Sequence, residues 1–107
     1  MHKTSLLIIL YILFAAPANL LAEVQKGEMV YKRACGTCHG IGVAGAPKIG
    51  DKASWTVINE KGLDILLHSV VNGLNGMPPK GLCMNCSEEE IKQAIEYILV
   101  KSGLNLE

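Results

Sequence analysis

An all-α fold of four to five helices is what this sequence of 107 residues predicts, and three observations predict it. Apolar residues recur at intervals of three and four in three stretches of the chain, as a half-buried helix requires. No stretch alternates apolar and polar residues as a strand would. Clusters of glycine and proline separate the helical stretches, so each break falls between elements and not within them.

Residues 1–22 read as a secretory leader and residues 23–107 as one domain. Met1, His2 and Lys3 supply positive charge, and Leu6 to Ala16 is apolar apart from the Tyr11 hydroxyl. That run is shorter than the roughly 18–20 residues a membrane-spanning helix needs. Small residues then place a cleavage point after Ala22, with Ala18 as the alternative and a retained anchor as the competing reading. A cleaved leader leaves no stable membrane insertion and no cysteine near the new terminus for lipid attachment.

The first helix is expected from Val24 to about Ala34, with Val24, Val30, Tyr31 and Ala34 on one face. Five glycines and Pro47 between positions 36 and 50 then predict a loop that wraps around something. Ser54 is placed to cap a short helix through about Glu60, and Gly62 separates it from a second over Leu63–Val71, closed by Asn72-Gly73. Gly76, Pro78, Pro79 and Gly81 make the stretch from Gly73 to Cys86 irregular. The last helix carries the strongest signature. Ser87 precedes Glu90 by three residues, the reciprocal capping box, and Ile91, Ala94, Ile95, Ile98 and Leu99 form its apolar stripe, which Gly103 ends.

From Glu23 onward nine Lys or Arg face ten Asp or Glu, so the broad basic field that draws a protein to nucleic acid is missing. The one Phe lies in the leader and there is one Trp, leaving a mainly aliphatic core. So small a domain gains much from a large buried cofactor. Four cysteines fall as two Cys-x-x-Cys pairs, Cys35 with Cys38 and Cys83 with Cys86, and a histidine comes directly after only the first.

Cys35-Gly36-Thr37-Cys38-His39 is the pattern of covalent haem attachment. On a helical turn, residues three apart share one face, so both thiols can meet the vinyl groups along one porphyrin edge while His39 turns its imidazole to the iron. A thioredoxin-like pair would need a surrounding strand and helix pattern, and a zinc site would need Cys83 and Cys86 to join the first pair. Met77, stiffened by Gly76, Pro78 and Pro79, is the candidate second axial ligand; its thioether would favour reduced iron. The alternative for Met77 is core filling. His68 is the rival ligand, inside a helix pattern.

Beyond the motif, the chain resembles the class I cytochromes c, in particular the bacterial cytochrome c5 family. The likeness is carried by Gly27, Val30-Tyr31, the run Gly42 to Lys48, Trp55, Met77-Pro78-Pro79-Lys80-Gly81 and Cys83-Met84-Asn85-Cys86-Ser87, and it spans nearly the whole mature chain. It implies crossing first and last helices around one covalent haem c and its iron. It further implies that the Pro47 carbonyl accepts the Nδ1 proton of His39, and that Gly27 and Tyr31 meet the last helix near Tyr97. Trp55 would lie near the haem propionates or simply pack in the core. The likeness makes Cys83 and Cys86 a disulfide that staples the Met77 loop to the last helix; a redox-active pair is the alternative, with Lys80 as the only nearby cation in sequence.

These readings converge on a periplasmic, single-domain electron carrier and not an enzyme. A terminal oxidase, a reductase or a membrane cytochrome complex would suit it as partner; Lys48, Lys52 and Lys80 either orient that partner or are plain solvated surface lysines. A haem peroxidase, or a gas or redox sensor with a displaceable Met77, is the competing class. The chain offers no distal His or Arg for the first and no output domain for the second.

Overall fold

The structure, a computed structural model, describes residues 18–106. The leader reading of residues 1–17 lies outside them. Helix α1 covers Ala18–Val30 and so begins six residues before the expected Val24. Ala and Leu at positions 18–22 are strong helix formers and extend the element upstream.

The helix does not end in the α pattern. Tyr31–Cys35 form a π turn, in which the Gly36 N–H donates to the Tyr31 carbonyl, and Gly36–His39 then resumes α geometry. The expected irregular stretch therefore starts only at Gly40. A π turn inserts an extra residue into the hydrogen-bond ladder and rotates the downstream turn relative to the upstream one. Here it is the join between α1 and the turn Gly36–His39.

Helix α2 spans Lys52–Asn59 and is capped by Asp51, not by Ser54. The Asp51 carboxylate accepts from the Ser54 backbone N–H at 3.3 Å and from its hydroxyl at 2.7 Å. Asp51 has the non-helical backbone a cap requires, whereas Ser54 already lies inside the first turn. Helix α3 runs over Leu63–Asn72 between Gly62 and Gly73. Helix α4 covers Glu88–Lys101 with the complete capping box: Ser87 Oγ accepts from the Glu90 N–H and Glu90 Oε1 accepts from the Ser87 N–H, each at 3.1 Å. Gly103, with φ of +88°, ends it in the left-handed conformation that glycine adopts without strain. No strand forms among the described residues; a single bridge pairs Leu74 with Met77.

Helices α1 and α4 pack directly against each other, and Gly27 is the reason they can. A Cβ at that position would lie 2.2 Å from the Gln93 carbonyl oxygen and 3.1 Å from Tyr97 Cβ. Just beyond, the Tyr31 and Tyr97 rings meet with centroids 5.3 Å apart. Val30, Tyr31, Leu66, Ile91, Ala94, Ile95, Tyr97, Ile98 and Leu99 make the main core. Ile91 and Leu99 are only 1% exposed, and burying each contributes about 1.5–3 kcal/mol. The fold is the all-α arrangement with first and last helices crossing.

Candidate haem site

The site is assembled where the chain leaves α1. His39 is buried, while Cys35 and Cys38 are half-buried, unbonded thiols. His39 is gripped by the loop that returns past it: its Nδ1 lies 2.8 Å from the Pro47 carbonyl, and its own carbonyl accepts from the Ile49 N–H at 2.7 Å. A carbonyl only accepts, so Nδ1 carries the proton and Nε2 keeps its lone pair. The ring is thereby prepared as a metal ligand.

Trp55 closes the same corner. Its ring centroid is 5.8 Å from that of His39, and its indole N–H donates to the Lys48 carbonyl at 2.8 Å. That bond braces the 47–49 loop against the buried Trp55. Gly50 N–H donates to the hydroxyl of buried Ser102 at 2.9 Å, which ties that loop to the end of α4.

Met77 comes from the opposite stretch, between α3 and α4. Its backbone exchanges two hydrogen bonds with Leu74, at 2.8 and 3.0 Å, across a turn in which Asn75 has φ of +52°. The thioether is half-buried. The 3₁₀ turn just after it, Pro79–Leu82, approaches the haem-motif segment: a Cβ on Gly81 would stand 3.8 Å from the Ala34 carbonyl oxygen. His68 sits exposed on α3, where Asn72 Nδ2 donates to its carbonyl at 2.8 Å.

Cys83 and Cys86 are disulfide-bonded and buried. Among the described residues no cluster of three or more His, Cys, Asp or Glu is arranged to hold a metal ion, so the two cysteine pairs do not form a zinc site. Burial pushes the Cys35 thiol above its ordinary pKa. A redox pair of the thioredoxin kind needs its attacking thiol shifted the other way.

Two residues of this neighbourhood have no signal in the sequence. Arg33, placed by helical period on the solvent side, directs Nη2 to within 3.0 Å of Cys86 Sγ and 3.4 Å of Cys83 Sγ. Ser102 is a plain helix-end serine until the 47–50 loop folds over it. Lys80, expected to orient a partner or to be a plain surface lysine, donates to the Cys86 carbonyl at 2.9 Å.

The residues present suit a haem. Two free thiols one helical turn apart precede a buried imidazole with one nitrogen left for iron. Ile49, Ile58, Leu63, Leu67, Val70 and Val71 are only partly buried against the core, although such side chains are ordinarily covered. An apolar macrocycle would cover side chains of this kind.

Comparison with known proteins agrees. The family model described as cytochrome C oxidase, cbb3-type, subunit III matches residues 22–98. A cytochrome c5 of Ectopseudomonas mendocina is 46% identical over 82 residues, covering 75% of this chain and 91% of that protein. One from Azotobacter vinelandii is 49% identical over 73 residues, 66% of this chain and 88% of its own length. A solved mono-haem ferrocytochrome c from Shewanella putrefaciens superposes with a TM-score of 0.63 at 49% identity, covering 67% of this chain and 89% of that one. A cytochrome c solved in an electron transfer complex with nitrite reductase gives a TM-score of 0.69 at 39% identity, with 72% and 94% covered. The chain belongs to the cytochrome c5 family of c-type cytochromes: a small electron-transfer protein with one covalent haem c and its iron, not an enzyme.

Proposed function

We propose that this protein is a periplasmic carrier of single electrons whose haem is joined to Cys35 and Cys38 and whose iron is held by His39 and Met77. The haem supplies an iron centre that alternates between ferric and ferrous states. The protein's part is to hold the ligands still, so that little reorganises when the charge changes. The observation that carries the reading is the 2.8 Å contact from His39 Nδ1 to the Pro47 carbonyl, in a buried position directly after two free thiols. It fixes the ring's tautomer and orientation, and raises the basicity of Nε2.

Met77 supports the second axial role through its setting. A residue whose backbone is pinned on both sides, with Pro78 and Pro79 directly after it, offers a thioether with little freedom to wander. Thioether ligation favours ferrous iron and raises the potential. The disulfide lies at the far end of the same loop, where it shortens the free chain between Met77 and α4. On the chain-entropy model so small a ring contributes about 2 kcal/mol.

The partner is a redox protein, in keeping with the relative solved on nitrite reductase; a terminal oxidase or a membrane cytochrome complex would meet the same surface chemistry. Export rests on the leader. Among the described residues no helix is long and apolar enough to cross a membrane.

The visible spectrum tests the ligand set. The ferric protein should be low-spin with a sulfur-to-iron charge-transfer band, and Met77→Ala should abolish that band while the haem stays attached. A high-spin wild type, or a band that survives in Met77→Ala, defeats the assignment. Osmotic release of the haem protein with periplasmic markers tests location; retention in the cytosolic fraction defeats it.

A further inference from the structure

The second cysteine pair stands where a stabilised thiolate could form. Cys86 directly precedes Ser87, the N-cap of α4, so it lies beside the helix end at which free N–H groups concentrate positive potential. Arg33 then adds a full charge from a segment 53 residues away in sequence, with Nη2 at 3.0 Å from Cys86 Sγ and 3.4 Å from Cys83 Sγ. A guanidinium at such range holds an anionic sulfur far more strongly than a neutral one. Oxidised, the pair gains little from Arg33; reduced, it gains much.

We propose that Cys83–Cys86 is a reducible dithiol/disulfide couple poised by Arg33, and that its electron source is a dithiol reductant. A thiolate of the reductant attacks Cys83 Sγ, the sulfur–sulfur bond breaks, and Cys86 leaves as the thiolate beside Arg33. The reductant's second thiol then displaces Cys83 and closes the reductant's own disulfide. Two electrons have passed to the protein; one of the reductant's protons ends on Cys83 and the other goes to solvent. Cys83 is the side attacked because it is 6% exposed against 2% for Cys86, and it lies between Leu82 and Met84, which are 73% and 68% exposed. A well-stabilised leaving thiolate also departs faster.

The opposing charges are Glu88, Glu89 and Glu90 in the first turn of α4. Glu90 Oε2 stands 4.0 Å from Arg33 Nη2 and competes for it. Arg33 and Glu90 are both open to solvent, with side chains 55% and 43% exposed, so screening weakens both; the guanidinium nonetheless lies closer to the Cys86 sulfur, at 3.0 Å, than to the carboxylate, at 4.0 Å. Opening the bond frees the segment from Pro79 to Cys86 behind Met77, and its effect on the iron rests on the ligation proposed above. The couple itself does not.

The experiment equilibrates the haem-loaded protein with graded ratios of reduced to oxidised dithiothreitol, blocks thiols with iodoacetamide and counts the added groups by mass. Arg33→Met should demand a ratio at least about tenfold more reducing than the wild type, and Arg33→Lys should stay near the wild type because it keeps the charge. Glu90→Gln, which keeps a capping side chain but removes the competing carboxylate, should shift the midpoint toward easier reduction. Loosened packing alone would make the Arg33→Met disulfide easier to reduce, the opposite direction. A wild type that stays oxidised while folded under excess dithiol, or an Arg33→Met protein that is reduced as readily as the wild type, overturns the proposal.

Discussion

The α1–α4 crossing and the loops around the candidate haem site are built on different principles. At the crossing, side chains are covered almost completely, from Ile91 and Leu99 at 1% exposure to Tyr31 at 9%. In the loops several large apolar side chains stand open, Ile41 at 75% and Leu82 at 73% exposure among them, and every non-glycine residue with positive φ among those described lies there: Ala44, Asn75, Lys80 and Leu82. Each such residue stores about 1–2 kcal/mol of strain. The loops are held by polar tethers, among them Pro47 and Ile49 to His39, Lys48 to Trp55, Gly50 to Ser102 and Leu74 to Met77, and by the Cys83–Cys86 disulfide. The crossing is complete without a cofactor; the loops are shaped to be completed by one.

The largest effect should come from denying the loops that completion. With Cys35→Ser and Cys38→Ser together the haem cannot attach, and the loss should be on the order of 5 kcal/mol, most of what a small domain has. Amide exchange should then show residues 40–50 and 73–86 open while α1 and α4 keep residual protection. Equal loss of protection in both regions would erase the distinction between crossing and loops.

A pair of glycine substitutions sharpens the same contrast from the other side. Gly27→Ala forces a methyl to within 2.2 Å of the Gln93 carbonyl, and pushing two helix backbones apart costs about 1–3 kcal/mol or more. Gly45→Ala meets no atom within 4 Å, but its φ of +81° must be kept, which costs about 1 kcal/mol. Denaturant midpoints of the haem-loaded variants compare the two. Gly27→Ala should be the more destabilised although it changes a helix residue to a better helix former.

How much of this was legible in the sequence divides along the same line. The boundaries of α3 and α4, the capping box and the apolar stripe of α4 depend on neighbours within one turn, and local pattern is enough to find them. The motif from Cys35 to His39 is equally local. The π turn at Tyr31–Cys35 is different, because the residues Tyr-Lys-Arg-Ala-Cys carry no local pattern that marks an extra residue in the ladder. Asp51 displaced Ser54 as the cap because both are good caps, and the chain's path out of the 47–50 loop decided between them. Arg33 carries no sequence signal at all: its partners are Cys83, Cys86 and Glu90, and only the fold brings them to it.

The smallest effects lie where the two regions join, at the N-terminus of α4. Ser87→Ala removes the hydroxyl that accepts from the Glu90 N–H and should cost about 1 kcal/mol. Glu90 makes the other half of the box, and the Ser87 backbone N–H, then its hydroxyl, hold the Glu90 carboxyl below the usual carboxylate range. A carboxyl whose pKa is depressed by folding adds stability above the unfolded value, and that contribution fades as the pH falls through the folded one. Glu90→Gln keeps an acceptor for the Ser87 N–H but has no charge to lose. The wild type should therefore exceed Glu90→Gln in stability near neutral pH, with the gap closing between about pH 5 and pH 3. Urea midpoints at several pH values measure it. A gap that stays constant over that range would mean that the ionised carboxylate adds nothing at this helix end, and that the box holds the joint between loop and crossing by hydrogen-bond geometry alone.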